Sequence, residues 1–201
     1  MKKPGLIFVV SGPSGSGKTT LLARLLEQGA LRNKLVKSIS FTTRPKRSGE
    51  RDKKDYFFIS QKKFQELRKA KKILEWTKYL GYYYATPKDF LERQLKNGRH
   101  AILCLDLKGA LKIKQLYPEN TVTIFVMPPS LRVLWERIRK RCQQTRKEEI
   151  RQRLQLAKFE LLAKEVYDYC LVNQEIRKIV SQLRGVILKE IATRELRGGV
   201  S

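Results

Sequence analysis

One histidine and three cysteines among 201 residues leave little material for metal chemistry. Cys104, Cys142 and Cys170 lie far apart with no Cys-x-x-Cys, and His100 is the single imidazole. A structural zinc needs several such ligands at close spacing, so the composition argues against one. An odd cysteine count also argues against a disulfide framework and predicts a reduced, cytoplasmic protein. His100 stands just before an apolar run and reads as a strand-edge residue rather than a catalytic base.

Long apolar runs are missing too. No stretch approaches the ~20 residues that a membrane span requires, so no membrane partner is expected. The opening "MKKPGLIFVVSG" has a basic tip and an apolar run, in the manner of a signal peptide. That run is only about seven residues long and feeds into a glycine-rich loop, so a buried strand is the better reading. Nor is there a self-similar period of the kind that marks repeat architectures.

Acids are scarce. Nineteen Asp and Glu face 44 Lys and Arg, a formal net charge of +25. The excess is concentrated: residues 32–72 hold fifteen bases against four acids, and 132–153 hold nine against three. Such charge suggests polyanions. A nucleic-acid binder would also interleave aromatics or carry a recognition module, and none is evident, so nucleic acid is not an expected partner. Most of these lysines read as a solubilising surface. The arginines near the motifs below need their own account.

What is present is alternation. "GLIFVV" (5–10), "AILCLD" (101–106), "TVTIFVM" (121–127) and "YDYCLVN" (167–173) are short apolar runs suited to strands buried on both faces. Between them "TTLLARLLEQG" has helical spacing with Gly29 as its stop, and 110–116 is helical. Ser130 is placed to cap a further helix. Ile150, Leu154, Ala157 and Leu161 trace one helical face, and 175–195 reads as another helix. Strands alternating with helices indicate an α/β protein with a parallel sheet. Two segments break the pattern. Residues 35–97, basic and tyrosine-bearing, are long enough to be an inserted lobe. Residues 138–152, "IRKRCQQTRKEEIRQ", look too polar to pack and read as a mobile arm. The core is then 1–34, 98–137 and 153–201.

Gly12-Pro13-Ser14-Gly15-Ser16-Gly17-Lys18-Thr19, followed by Thr20, matches G-x-x-x-x-G-K-[ST] between a strand and a helix. Its glycines let backbone N–H groups converge on phosphate oxygens, and the following helix adds its positive dipole end. Lys18 would reach the β- and γ-phosphates, and the Thr19 hydroxyl would ligate Mg²⁺. Asp106, closing "AILCLD", has the pattern of an acid that holds the metal's water shell. A carboxylate capping the next helix is the alternative. The motif announces a nucleoside triphosphate. It leaves open whether the phosphoryl group goes to water, to a protein or to a small acceptor.

"SFTTRPKRSGERDKKDYFF" followed by "ILEWTKYLGYYYAT" bears on the acceptor. These stretches resemble the nucleotide-acceptor lobe of the guanylate kinase family, whose members move phosphate from ATP to GMP. The resemblance continues through "LDLKGALKIK", "FVMPPS", "RIRKRC", "IRQRL" and "YDYCLVN". It implies a three-layer P-loop sandwich with a parallel central sheet, an inserted GMP-binding lobe and a small lid. It implies that Arg44, Arg47, Tyr56 and Tyr84 hold the GMP phosphate, and that Glu75 and Thr86 read guanine with Ser40 nearby. Glu50 would support the lobe, and Asp106 would lie between the two nucleotides. Arg137, Arg141 and Arg153 would be the lid and helix arginines, while the "PPS" turn and Asn173 would meet the ATP base. ATP with Mg²⁺ is the implied donor and GMP, with dGMP, the implied acceptor. The assignments make chemical sense. Guanine offers two adjacent donors that a carboxylate can accept together, and adenine would set an acceptor against it.

The chain departs from the family pattern in places. Cys104 stands where an aspartate is usual two residues before Asp106, and a largely neutral thiol predicts lower magnesium affinity. Lys108 replaces glutamine, Ala85 replaces glycine, Lys53 and Lys54 occupy a stretch where glycine is common, and Cys142 follows Arg141 where glycine is usual. A binding module that has lost catalysis, or a kinase with another phosphorylated acceptor, are the alternative readings. The intact Gly-Lys-Thr loop argues against the first. The joint presence of Arg44, Arg47, Tyr56, Glu75 and Tyr84 argues against the second.

Overall fold

Nine strands carry the architecture among the residues that the computed structural model describes, which are 3–31, 33–141 and 147–196. In chain order they are β1 (Ile7–Ser11), β2 (Leu35–Lys37), β3 (Phe41–Thr42), β4 (Phe57–Phe58), β5 (Ile73–Tyr79), β6 (Tyr82–Pro87), β7 (His100–Cys104), β8 (Thr121–Met127) and β9 (Tyr169–Val172). A five-stranded sheet runs β2-β7-β1-β8-β9, with β2–β7 and β8–β9 parallel; a four-stranded sheet runs β4-β3-β6-β5. Every residue of β1 is buried, as expected for a strand covered on both faces. The four strands read from the sequence are β1, β7, β8 and β9. The fold class is the expected α/β one.

The chain divides into two compact units, Met1–Ile7 with Lys34–Thr121, and Phe8–Asn33 with Val122–Ser201. The expected inserted lobe, 35–97, falls inside the first unit, which extends beyond it to include β7 and the helix α4 defined below.

In the first unit the helices are α2 (Gln61–Lys69), α3 (Lys88–Lys96) and α4 (Leu107–Leu116). Ser60 caps α2 by accepting from Lys63 N at 3.1 Å. The helix contributes Phe64, fully buried and stacked on Tyr83 of β6 with ring centroids 4.4 Å apart. Burying a phenylalanine of this kind contributes about 2 kcal/mol. β5 and β6 form a hairpin whose two-residue turn, Leu80 and Gly81, has positive φ at both positions (48° and 84°), the geometry that matches strand twist. Further down, Ile73 pairs with Pro87 and Trp76 with Ala85. Two residues of β5, Leu74 and Glu75, therefore stand opposite the single Thr86, which makes a β-bulge. His100 opens β7, where its Nδ1 accepts the Leu6 N–H at 2.9 Å, the strand-edge role expected of it.

In the second unit α1 (Lys18–Glu27) packs on α7 (Ile176–Leu196), and Leu21, Leu22 and Leu25 of the one and Ile179, Leu183 and Ile187 of the other are buried. Gly29 does not end α1 by a left-handed turn. Gln28 is extended, and Gly29–Leu31 form a short 3₁₀ turn. α4 begins at Leu107, three residues before the expected start, because Asp106 caps it. Ser130 caps α5 (Leu131–Arg141) as expected, accepting from Val133 N at 3.2 Å.

The arm expected over 138–152 is helical where it is described: α5 runs to Arg141, and α6 (Lys147–Leu162) continues unbroken past Arg153. Leu134, Ile138 and Ala157 are buried together against Ile150, Leu154 and Leu161. One apolar residue per helical turn is enough for such a seam, however charged the other faces are. Cys142 and Arg146 lie outside the described residues.

Candidate active site

The second unit carries the phosphate loop. β1 delivers the chain into Gly12–Gly17, and α1 starts at Lys18 with Gly17 as its N-cap. Gly12, Gly15 and Gly17 have φ of +136°, +89° and +94°, conformations that side-chain-bearing residues rarely adopt. Space forbids side chains as well: a Cβ would stand 2.3 Å from the Val126 carbonyl oxygen at Gly12, and 2.3 Å from Asn173 Nδ2 at Gly17. Ser16 N donates to the Pro13 carbonyl at 3.0 Å, tightening the turn. The exposed Thr19 and Thr20 stand in the first turn of α1, where the dipole's positive end favours anions.

Cations gather on the loop. Lys18 Nζ donates to the carbonyls of Gly12 and, at 3.0 Å, Pro13. Arg153, only 5% exposed, reaches the Ser14 hydroxyl with Nη1 at 3.5 Å. A Cβ on Gly17 would lie 4.0 Å from Arg137 Nη1, so that guanidinium sits over the loop. The side chain of Arg141 lies outside the described residues. Asn173 follows β9, where its N–H donates to the Met127 carbonyl at 2.8 Å and its Nδ2 donates to the Ser16 carbonyl at 2.7 Å. This contact fixes the loop, a role that sequence reading missed because no motif couples positions so far apart.

In the first unit Arg44 is the hub. It is 8% exposed and forms a two-pronged pair with Glu50: Nη1 to Oε2 at 2.9 Å and Nη2 to Oε1 at 2.8 Å. Nη1 also donates to the Pro45 carbonyl at 2.7 Å. Glu50 Oε2 takes the Arg47 N–H at 2.9 Å, closing the turn. These bonds, with a further side-chain hydrogen bond to Tyr84, hold the fork in place. Burial works against both charges. The Glu50 bonds and neighbouring Tyr84 outweigh it for Arg44, whose hold on its proton is strengthened. Likewise, the Arg44 and Arg47 donors outweigh burial for Glu50 and hold its carboxyl below the usual carboxylate range.

Aromatics wall this hub. The Arg44 guanidinium carbon is 5.5 Å from the Tyr56 ring centroid and 5.7 Å from that of Phe58, within cation–π range. Tyr56 meets Tyr84 edge-on at 5.9 Å. Burial, then the nearby Cys104 and Tyr84, push the Tyr56 hydroxyl well above its ordinary range, so it stays a neutral donor. Phe58 was not singled out from sequence, although its place two residues after Tyr56 signals a shared strand face. Ser40 accepts the Phe57 N–H at 2.9 Å through its carbonyl, which leaves its hydroxyl outside that bond.

Glu75 is the buried acid of this unit. It is 5% exposed, and Thr86, 1% exposed, donates its hydroxyl to Glu75 Oε1 at 2.5 Å. Burial pushes the carboxyl up to about 7; the Thr86 bonds oppose this and the Asp106 charge adds to it. Asp106 Oδ1 accepts the Gly109 N–H at 2.9 Å, capping α4. Among the departures noted above, Lys53 adopts φ +60° where glycine would be at ease, and Ala85 is an ordinary buried strand residue. Cys104 ends β7 half-buried, and Lys108 is exposed.

A glycine-formed phosphate loop with convergent cations, built on an α/β fold with a parallel sheet, defines a P-loop nucleotide-binding protein. A family model described as guanylate kinase matches residues 5–190. The chain is 40% identical to a curated guanylate kinase of Wolbachia pipientis wMel over 190 residues, covering 94% of this chain and 92% of the relative. A guanylate kinase of Thermotoga maritima is 40% identical over 189 residues, covering 94% and 88%. The crystal structure of guanylate kinase from Anaplasma phagocytophilum superposes with a TM-score of 0.76 at 33% identity, covering 94% of this chain and 88% of that one. The chain belongs to the guanylate kinase family.

Proposed function

We propose that the chain transfers the γ-phosphoryl group of ATP to the phosphate of GMP, giving ADP and GDP, and that it accepts dGMP as well. The observation that carries the acceptor is the buried Glu75 carboxylate. It is costly to bury unpaired, and the Thr86 hydroxyl is donated to one of its two oxygens, Oε1. Guanine's N1–H and N2–H are two donors set side by side, and they would repay that cost. Adenine would not. Leaving a buried carboxylate facing an acceptor rejects the wrong base by several kcal/mol.

Arg44, held in place by Glu50, offers its N–H donors to the GMP phosphate, with Arg47 and the Tyr56 and Tyr84 hydroxyls beside it. Lys18 exchanges its two loop carbonyls for phosphate oxygens, and Arg137 and Arg153 spread the charge that builds on the transferring group. In the reaction the bond from the γ-phosphorus to its bridging oxygen breaks, and one to an oxygen of the GMP phosphate forms. No covalent enzyme intermediate is needed.

Magnesium fits this site only in part. Lys18 and the glycine loop suit phosphates, and the Thr19 hydroxyl stands in the first turn of α1. No cluster of three or more Asp, Glu, His or Cys able to hold a metal occurs among the described residues. A hard cation that keeps waters and phosphate oxygens as ligands needs only such a sparse set. Bound there with Thr19, it would neutralise phosphate charge.

The test is ADP release by the purified chain with ATP, Mg²⁺ and each of GMP, dGMP, AMP, UMP and CMP. ADP appearing with GMP and dGMP, and not with AMP, is the expected result. Turnover of AMP at the GMP rate would overturn the Glu75 assignment. Silence with all five, while GMP still binds, would make the chain a binding module. We expect cytoplasmic residence; no helix among the described residues is long and apolar enough to cross a membrane.

A further inference from the structure

The geometry points to Gly109 as a positioning residue for base selection, acting through the carboxylate of Glu75. This deepens the reading of Glu75 as the guanine reader and rests on it.

Gly109 is buried in the first turn of α4, and its φ does not lie in the left-handed region. No backbone requirement calls for glycine there, and glycine is a poor helix residue. What its missing side chain provides is space. A Cβ would stand 3.0 Å from Glu75 Oε2, 3.2 Å from Leu105 Cβ and 3.3 Å from Asp106 Oδ1, all closer than the 3.4 Å at which ordinary contact begins.

The three neighbours differ in their freedom to move. Leu105 Cβ is fixed to the backbone just before the helix. Asp106 Oδ1 is held by the Gly109 N–H at 2.9 Å. Glu75 takes the Thr86 hydroxyl at its other oxygen at 2.5 Å, and the Thr86 backbone N–H adds to that hold. A methyl group at 109 would therefore turn the Glu75 carboxylate about its Thr86 anchor. A bidentate grip needs both oxygens in the plane of the base, so the turn weakens one of two hydrogen bonds while leaving the phosphate contacts of Arg44 untouched.

The experiment is steady-state kinetics on the full chain as wild type, Gly109→Ala, Glu75→Asp, Glu75→Ala, and the two doubles. Loss of one hydrogen bond predicts that G109A raises KM for GMP about tenfold. It should leave kcat and KM for ATP nearly unchanged, the sign of lost uniform binding. The GMP-to-AMP preference should fall by the same factor. Glu75→Asp withdraws the carboxylate by one methylene, so adding G109A to it should cost less than about threefold, as residues in contact couple.

An equal G109A effect in both backgrounds would mean that Gly109 serves the packing of α4 alone, and would overturn the inference. Should G109A prove too unstable to assay, its melting temperature should recover when Glu75→Ala removes the opposing carboxylate. Failure to recover would also overturn it. If Glu75→Ala by itself leaves the GMP-to-AMP preference at the wild-type value, the guanine reading of Glu75 has failed and this inference falls with it. A normal loss of preference in E75A beside an uncoupled G109A would leave that reading standing and remove only the role of Gly109.

Discussion

Glu75 and Thr86 meet across a β-bulge: Thr86 opposes both Leu74 and Glu75, and its hydroxyl takes Oε1 of the carboxylate at 2.5 Å. The extra residue on β5 breaks the strict alternation of strand faces. From Glu75 onward the faces alternate in the usual way: Glu75 is buried while the next residue, Trp76, is 44% exposed. The same placement determines the pH behaviour of the site.

Burial raises the Glu75 carboxyl to about 7 from its ordinary 4.5. The stabilising share of a raised carboxyl is fully present below the ordinary value and is lost as pH rises through about 7. Glu75→Gln, which carries no charge, should therefore be the more stable protein at pH 8, by on the order of 3 kcal/mol. The gap should close near pH 4.5, and thermal melts across this range measure it. The proposed grip on guanine needs the ionised form. KM for GMP in wild type should thus be about tenfold higher at pH 6 than at pH 8, while Glu75→Gln shows only the shallower titration of the GMP phosphate itself, near pH 6. Equal slopes in both proteins would contradict this assignment.

Glu50 acts through Arg44, and Glu50→Gln separates its effect from that of direct phosphate contact. The amide keeps the shape and one acceptor but loses the charge that pins the fork. KM for GMP should rise about tenfold and stability should fall by about 1–3 kcal/mol, since the pair is mostly buried. The wild-type carboxyl is held low, so its contribution is present above the ordinary carboxylate value and disappears as pH falls. The variant and the wild type should converge in urea melts once pH has fallen through that lowered value.

The phosphate loop and the four principal strands were legible because each rests on contiguous residues. Gly12 to Thr19 spells out its own geometry, and β1, β7, β8 and β9 are plain apolar runs. Glu75 was not legible from pattern. One acid in a basic segment shows its burial only once β5 is paired with β6, and only the family resemblance singled it out. The packing of the polar arm was hidden for the opposite reason: counting charges across 138–152 obscures Ile138 and Ile150, which among the described residues join α5 to α6. Asn173 could not be tied to the loop at all, because its partner Ser16 lies 157 residues away.

That contact yields a prediction on the donor side. Asn173→Ala removes the hydrogen bond to the Ser16 carbonyl and leaves room beside Gly17. The loop should lose definition, raising KM for ATP about three- to tenfold with KM for GMP unchanged, and lowering stability by about 1–2 kcal/mol. Asn173→Asp should be worse, because a carboxylate would face the carbonyl oxygen. Initial rates at varied ATP, with thermal melts, distinguish this from a purely adenine-binding role, which would move KM for ATP without lowering stability.

Lys53 offers a change that should improve the fold. Its φ of +60° lies in the left-handed region, its N–H donates to the Tyr56 carbonyl at 2.8 Å, and the residue is exposed. A side chain in that region costs about 1–2 kcal/mol, whereas glycine gives back roughly 0.5–1 kcal/mol of unfolded-state entropy. Lys53→Gly should therefore stabilise the protein by about 0.5–1 kcal/mol, read as a higher urea midpoint at constant slope. Because the exposed lysine is not among the phosphate contacts, kcat and KM for GMP should hold at wild-type values. A lower midpoint would mean that the turn before Tyr56 is shaped by the Lys53 side chain. The left-handed conformation would then be a consequence of that contact instead of a cost borne by the backbone.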